Sequence, residues 1–163
     1  MKLRSLGFGF VFAMCGAGIA QGPVQPVQWA GTVQARTPIR QGSAFAVDLK
    51  ADIQAGWHVY GLVQVAGGPT PLRVSLDDND VAQAAGTVSA TVPVKKHDTS
   101  FDLETQFYLQ TLKLHLPLQV KQHAGTSKQT VPVSIRYQAC SEQTCLPPRT
   151  IHLAIPIVIV SGS

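Results

Sequence analysis

Apolar residues recur at every second position through several long stretches of this chain. Phe45, Val47, Leu49, Ala51 and Ile53 alternate with Ala46, Asp48, Lys50, Asp52 and Gln54, the period of a strand with one buried face and one wet face. Val131, Val133, Ile135, Tyr137 and Ala139 alternate in the same way with Pro132, Ser134, Arg136 and Gln138. Ile151, Leu153, Ile155, Ile157 and Ile159 form a third odd-numbered face, less cleanly because Val158 and Val160 are also apolar. Between Thr105 and Lys121 the phase changes: Phe107 and Leu109 are odd, whereas Leu112, Leu114, Leu116, Leu118 and Val120 are even. A strand changes face only by gaining a residue, so a bulge or bend is expected near Gln110 and Thr111. Beyond it the four leucines should face the core, with Lys113 and His115 in solvent. Shorter strands are expected over 27–34, 57–65, 72–76 and 87–94.

No window carries a helical stripe with caps at both ends. Turn residues punctuate the runs at Gly67-Gly68-Pro69, at Asp77-Asp78-Asn79-Asp80 and from His123 to Ser127. Seven or eight strands at this spacing predict an all-β fold, a two-sheet antiparallel immunoglobulin-like β-sandwich. A closed barrel is the competing architecture.

Residues 1–20 read as a secretory signal. Lys2 and Arg4 precede an apolar run with Phe8, Phe10, Val11, Phe12 and Met14, and Gly18-Ile19-Ala20 supplies small residues before Gln21. The run is too short and glycine-rich for a membrane span, which takes about 20 apolar residues. Lipid anchoring at Cys15 is disfavoured because Met14 stands where a small residue is needed. Residues 21–163 are expected to form one domain, periplasmic or secreted, with 22–28 leading into the first strand.

Charge and composition remove several function classes. The chain has 13 basic and 9 acidic residues, two of the basic ones in the leader, too small and too scattered a surplus for a nucleic-acid partner. His58, His97, His115, His123 and His152 are isolated rather than paired as zinc ligands would be, so no metal is expected. Copper is disfavoured because both methionines, Met1 and Met14, fall in the leader. No Gly-x-Ser-x-Gly elbow or acid–base pair suggests hydrolysis. The segment Asp77–Asp80 lacks the glycine and later glutamate of a calcium loop.

Cys140 and Cys145 remain, the only cysteines outside the leader, with Ser141, Glu142, Gln143 and Thr144 between them and Pro147-Pro148 beyond. In an oxidising compartment two thiols pair, and their Cα atoms should lie within about 7 Å. As a staple the pair is weak: closing about six residues contributes roughly 2 kcal/mol, against about 4 to 5 for a hundred-residue loop. A short surface turn suits a bond that a partner's thiolate attacks, so the sulfurs should be partly shielded rather than deeply buried. A small structural clip on a hairpin is the other reading of the spacing. Nothing adjacent obviously favours a thiolate: Glu142 opposes one, and Arg136 and Arg149 help only if the fold brings them close.

Tyr137-Gln138-Ala139-Cys140 followed by Cys145-Leu146-Pro147-Pro148-Arg149-Thr150 resembles the active-site strand pair of the N-terminal periplasmic domain of the thiol:disulfide interchange protein DsbD. Gly56-Trp57-His58-Val59-Tyr60 is similar to the glycine–aromatic segment of that family, and Phe101, ahead of Tyr108 and the long strand, to the phenylalanine of its cap loop. The resemblance implies an immunoglobulin-like sandwich acting as a protein thiol–disulfide oxidoreductase. Cys145 would form the mixed disulfide, Cys140 would resolve it, Phe101 would cap the pair, and Trp57 and Tyr60 would wall the site. Core packing is the alternative role for both aromatics. For Phe101 it is a place at the start of the next strand, inside the sandwich.

The best-known domain of that family has five residues between its cysteines and acidic residues directly before its cap phenylalanine. Here there are four, and Thr99 and Ser100 take the acidic places with Asp98 one step back. Neither the membrane-embedded electron carrier nor the thioredoxin-like domain of full-length relatives is expected in residues 21–163. The domain's electrons are therefore expected from a separate thioredoxin-like or membrane-bound donor, and its acceptors to be oxidised periplasmic proteins. We expect a monomer with no cofactor beyond the redox-active disulfide. The rival function is a non-catalytic exported β-sandwich binding module with a structural disulfide.

Overall fold

The computed structural model describes residues 25–35 and 38–162; the expected export signal over 1–20, Cys15 included, lies outside them. The described residues form strands and no helix. One sheet orders β1 (Val27–Gln34), β3 (Ala44–Ile53), β10 (Thr111–Val120) and β6 (Ala82–Ala84), with β7 (Ser89–Ala90) also on β10. The second orders β2 (Ile39–Arg40), β13 (Arg149–Val160), β11 (Ser127–Tyr137) and β5 (Arg73–Leu76). The third orders β12 (Ala139–Ser141), β4 (Trp57–Tyr60), β9 (Leu103–Tyr108) and β8 (Val94–Asp98). Every pairing is antiparallel except β2 with β13. This is an immunoglobulin-like β-sandwich with a small third sheet added to it.

The alternating runs build the core. Phe45, Val47, Leu49, Ala51 and Ile53 of β3, and Leu112, Leu114, Leu116 and Leu118 of β10, are buried together with Val131, Val133 and Ile135 of β11 and Ile155, Ile157 and Ile159 of β13. Lys113 and His115 are exposed, as the phase requires. Gly31 marks the close approach of the sheets, since a methyl group there would overlap the side chain of Ile155.

The phase change becomes a change of sheet. The chain leaves the third sheet after Tyr108, turns through Gln110 at φ 58° and enters the first sheet at Thr111. The Gln110 carbonyl accepts a 2.7 Å hydrogen bond from the Ile53 amide, which pins the bend. The expected odd-numbered face of Phe107 and Leu109 is corrected here, since Phe107 lies outside the main core cluster. Leu109 is 48% exposed and Tyr108 is the core residue, because the ladder ends before position 109 and alternation ends with it.

Other boundaries also move. The strand expected over 57–65 stops at Tyr60, and only Ser89–Ala90 of 87–94 is strand before β8 begins at Val94. The segment bearing Phe101, likened above to a cap loop, is the tip of a β-hairpin made by β8 and β9. In the turn at Asp77–Asp80 the Asn79 side chain accepts the amides of Val81 and Ala82, an ordinary local turn bond.

The third sheet positions the chemistry. Gln54 accepts the Trp57 amide at 3.0 Å, and Gly56 sits at φ +81°. A turn of this kind needs positive φ at its third residue, so Gly56 allows β4 to start where it does. Val59, Tyr108 and Ala139 then face the main core, which commits the alternate positions to the opposite side.

Candidate functional site

Cys140 and Cys145 form a disulfide with Cα atoms 4.0 Å apart, inside the expected 7 Å. The Ser141 amide bonds the Thr144 carbonyl at 2.8 Å and the Leu146 amide bonds the Ala139 carbonyl at 2.9 Å. Those two bonds flank the cysteines and make them an opposed, non-hydrogen-bonded antiparallel pair, whose Cα atoms ordinarily approach to about 4.5 Å. The Ser141 hydroxyl oxygen accepts the amides of Gln143 and Thr144, each at 3.2 Å, so four residues suffice to close the turn. The Gln138 side chain ties the surroundings together, accepting the Thr70 amide at 3.0 Å and donating to the Leu146 carbonyl at 3.4 Å.

The two cysteines differ in exposure. Cys140 is 1% exposed, whereas Cys145 is half-buried beside an exposed Glu142-Gln143-Thr144 tip. The expectation that both would be only partly shielded therefore fails for Cys140, because β12 is held in the ladder with β4 while Cys145 lies beyond it.

Register identifies what shares the face of Cys140. Cys140 is paired with His58, Tyr60 with Phe107, Phe107 with Val94, Lys96 with Thr105 and Asp98 with Leu103. By strand alternation these side chains lie on one side of the third sheet, away from the main core. The rings of His58 and Tyr60 meet edge-on at 5.0 Å, His58 and Phe107 lie at 4.9 Å, and Phe101 meets Tyr60 edge-on at 5.9 Å.

Asp98 organises the outer end. Its Oδ2 accepts the Tyr60 hydroxyl at 2.7 Å, and its Oδ1 accepts the Ser100 amide at 2.9 Å. The second bond is an Asx turn that closes the tip between β8 and β9, where Asp102 takes φ 54°. One carboxylate thus shapes the turn bearing Phe101 and fastens it to Tyr60. Burial and the adjacent Asp98 charge hold the Tyr60 phenol well above its ordinary pKa, so it stays a donor. Burial lowers the pKa of His58, while Asp98 pulls it upward.

Of the residues expected at the site, Cys140 and Tyr60 fall on this face, Cys145 is joined to it by the disulfide, and Phe101 lies at the hairpin tip against Tyr60. Phe101 is half-buried in the turn, outside β9 and outside the main core cluster. Trp57 instead lies opposite Ser141 and packs against the main core, because neighbours in a strand point to opposite faces. His58 and Asp98 were missed as site residues. The alternation of Trp57, His58, Val59 and Tyr60 already groups His58 with Tyr60. No cluster of metal-ligating side chains occurs among the described residues.

Comparison with known proteins agrees with this geometry. Among curated proteins no sequence matches the chain. The N-terminal periplasmic domain of ScsB from Proteus mirabilis superposes with a TM-score of 0.50 at 13% identity, over 83% of this chain and 49% of that one. The chain therefore spans about half the length of that structure. BcpA, the major pilin subunit of Bacillus cereus, aligns with a TM-score of 0.43 at 10% identity, over 83% of this chain and 40% of that one. The model of the N-terminal domain of thiol:disulfide interchange protein DsbD matches residues 24–155. The chain belongs to that family, the DsbD N-terminal domains.

Proposed function

We propose that this domain passes reducing equivalents between a thioredoxin-like or membrane-bound donor and oxidised exported proteins, in the periplasm, through reversible opening of Cys140–Cys145. The observation that carries this reading is the unequal exposure of the two disulfide-bonded cysteines, Cys145 half-buried at the turn and Cys140 buried. A donor thiolate attacks Cys145 Sγ. The Cys140–Cys145 bond breaks, a donor–Cys145 bond forms, and the electron pair leaves on Cys140, which takes a proton. The donor's second thiolate then releases Cys145 and leaves the domain with two thiols. Delivery runs in reverse: Cys145 thiolate attacks an acceptor disulfide, and Cys140 resolves the mixed disulfide. No cofactor enters either half.

The rival reading, a binding module with a permanent staple, draws on the burial of Cys140 and the closed hydrogen bonding of its turn. Trapping separates the two. Reduced Cys140→Ser protein, offered a disulfide-containing acceptor, should accumulate a mixed disulfide at Cys145, detectable by mass. The Cys145→Ser protein should accumulate far less. Equal trapping by both variants would remove the assignment of Cys145, and trapping by neither would favour the staple.

A further inference from the structure

We propose that His58 is the proton acceptor and donor for Cys140, and thereby sets the pH dependence of exchange; this deepens the exchange reading and rests on it. Three observations converge. His58 stands directly across from Cys140 in the β4–β12 ladder, and opposed residues on one face hold their Cβ atoms about 4.5–5.5 Å apart. The imidazole is fixed between the Tyr60 ring at 5.0 Å and the Phe107 ring at 4.9 Å. Its Nε2 is buried and has no hydrogen-bond partner among the protein groups, which is uncommon for a buried polar atom.

The redox state of Cys140 accounts for the missing partner. A disulfide sulfur carries no proton to donate, so the oxidised pair leaves Nε2 alone. Reduction creates a thiol on Cys140, the residue paired with His58 in the ladder. The S–H···N form and the thiolate–imidazolium form are then two states of one hydrogen bond, and the thiolate is the form that attacks. The other titratable groups on this face are Tyr60 on the same strand, Cys140 on β12, and Lys96 and Asp98 on β8; β9 contributes only Leu103, Thr105 and Phe107. Burial keeps the imidazole below the ordinary histidine value against the opposing pull of Asp98, so it is neutral near pH 7 and able to accept.

The step balances as follows. In the mixed disulfide, the Cys140 thiol gives its proton to His58 and its thiolate attacks Cys145 Sγ. The Cys145–acceptor bond breaks, the Cys140–Cys145 bond forms, and the acceptor sulfur leaves with the electron pair and takes the proton from His58. With the first attack by Cys145, two electrons have passed to the acceptor.

The test is resolution of a Cys145–glutathione mixed disulfide, followed against pH in the parent protein, His58→Phe and His58→Gln. In the parent the rate should level off near or below the ordinary histidine pKa of about 6.5. Both variants should be roughly 10- to 30-fold slower at pH 7, as expected of a free thiol of pKa about 8.5, and should keep accelerating toward that value. Glutamine fills the site and bonds but takes no proton, so a glutamine variant with the parent's profile would reduce His58 to a packing role and overturn the proposal. Superimposable profiles for all three proteins would also overturn it, with exchange itself left standing. Failure of the parent to form or resolve the mixed disulfide would instead defeat the exchange reading. A second arm needs no turnover: by NMR, the His58 ring should titrate at different pH values in the oxidised and reduced proteins. Identical titration would overturn the proposal whatever the kinetics.

Discussion

Where the first two sheets meet, the buried face is mainly aliphatic: Val47, Leu49, Leu112, Leu118, Val131 and Ile135 are sealed, with the Trp29–Tyr137 ring pair beside them. The outer face of the third sheet is also covered, with Cys140, Tyr60 and Thr105 each 1% exposed. There, however, polar atoms are closed in with the rings. Tyr60 finds Asp98, while His58 Nε2 finds nothing. The aliphatic face gains its stability from area removed from water and depends on the chemistry of no single residue. The aromatic face is held by a few specific bonds, with the hairpin tip fastened to it through Asp98 and Phe101.

Substitutions on the two faces should therefore differ in kind. Leu112→Ala should lower unfolding free energy by about 2–5 kcal/mol, as buried leucines do, and leave the rate of disulfide reduction by dithiothreitol unchanged. A changed reduction rate under native conditions would mean that the faces are not independent. Tyr60→Phe removes a hydrogen bond to a carboxylate, a contribution of about 1.5–3 kcal/mol, and frees the hairpin tip. Chemical denaturation should show that loss together with faster reduction.

Phe101→Ala should cost little global stability. The ring pair with Tyr60 contributes about 0.5–1.5 kcal/mol, and lifting the cap should become easier by that amount. Since about 1.36 kcal/mol is tenfold in rate, reduction by dithiothreitol should be about 2- to 12-fold faster. An unchanged rate with a stability loss of about 3–5 kcal/mol would show Phe101 to be a core residue instead.

The smallest effect concerns pH. The folded state lowers the pKa of His58 from its ordinary 6.5. Between the two values the unfolded chain binds the extra proton, so stability rises with pH across that window. The contribution is present above pH 6.5 and declines as pH falls toward the folded value. Thermal unfolding between pH 7 and pH 5 should show this decline in the parent and a shallower one in His58→Phe.

The aliphatic face was legible in the sequence because its strands are long and wet on one side. β1 occupies 27–34 as expected, and the leucine phase of β10 holds residue by residue. The aromatic face was legible in part, through the cysteine spacing and the resemblance at Gly56–Tyr60. Its remaining features depend on short strands covered on both sides, where alternation carries less information. β8 is polar along most of its length and read as a loop. His58 read as one isolated histidine of five, because only the pairing of β4 with β12 brings it opposite Cys140. Asp98 read as a displaced family acid, and only the turn geometry reveals that it holds both Ser100 and Tyr60.

The central claim is that Cys140–Cys145 opens and closes in use. Its equilibrium reduction potential, measured against glutathione at pH 7, tests that most directly. The account predicts a value within reach of thioredoxin-like proteins, between about −270 and −180 mV. A potential below about −300 mV, the range of structural disulfides, would make the pair a staple and contradict the account.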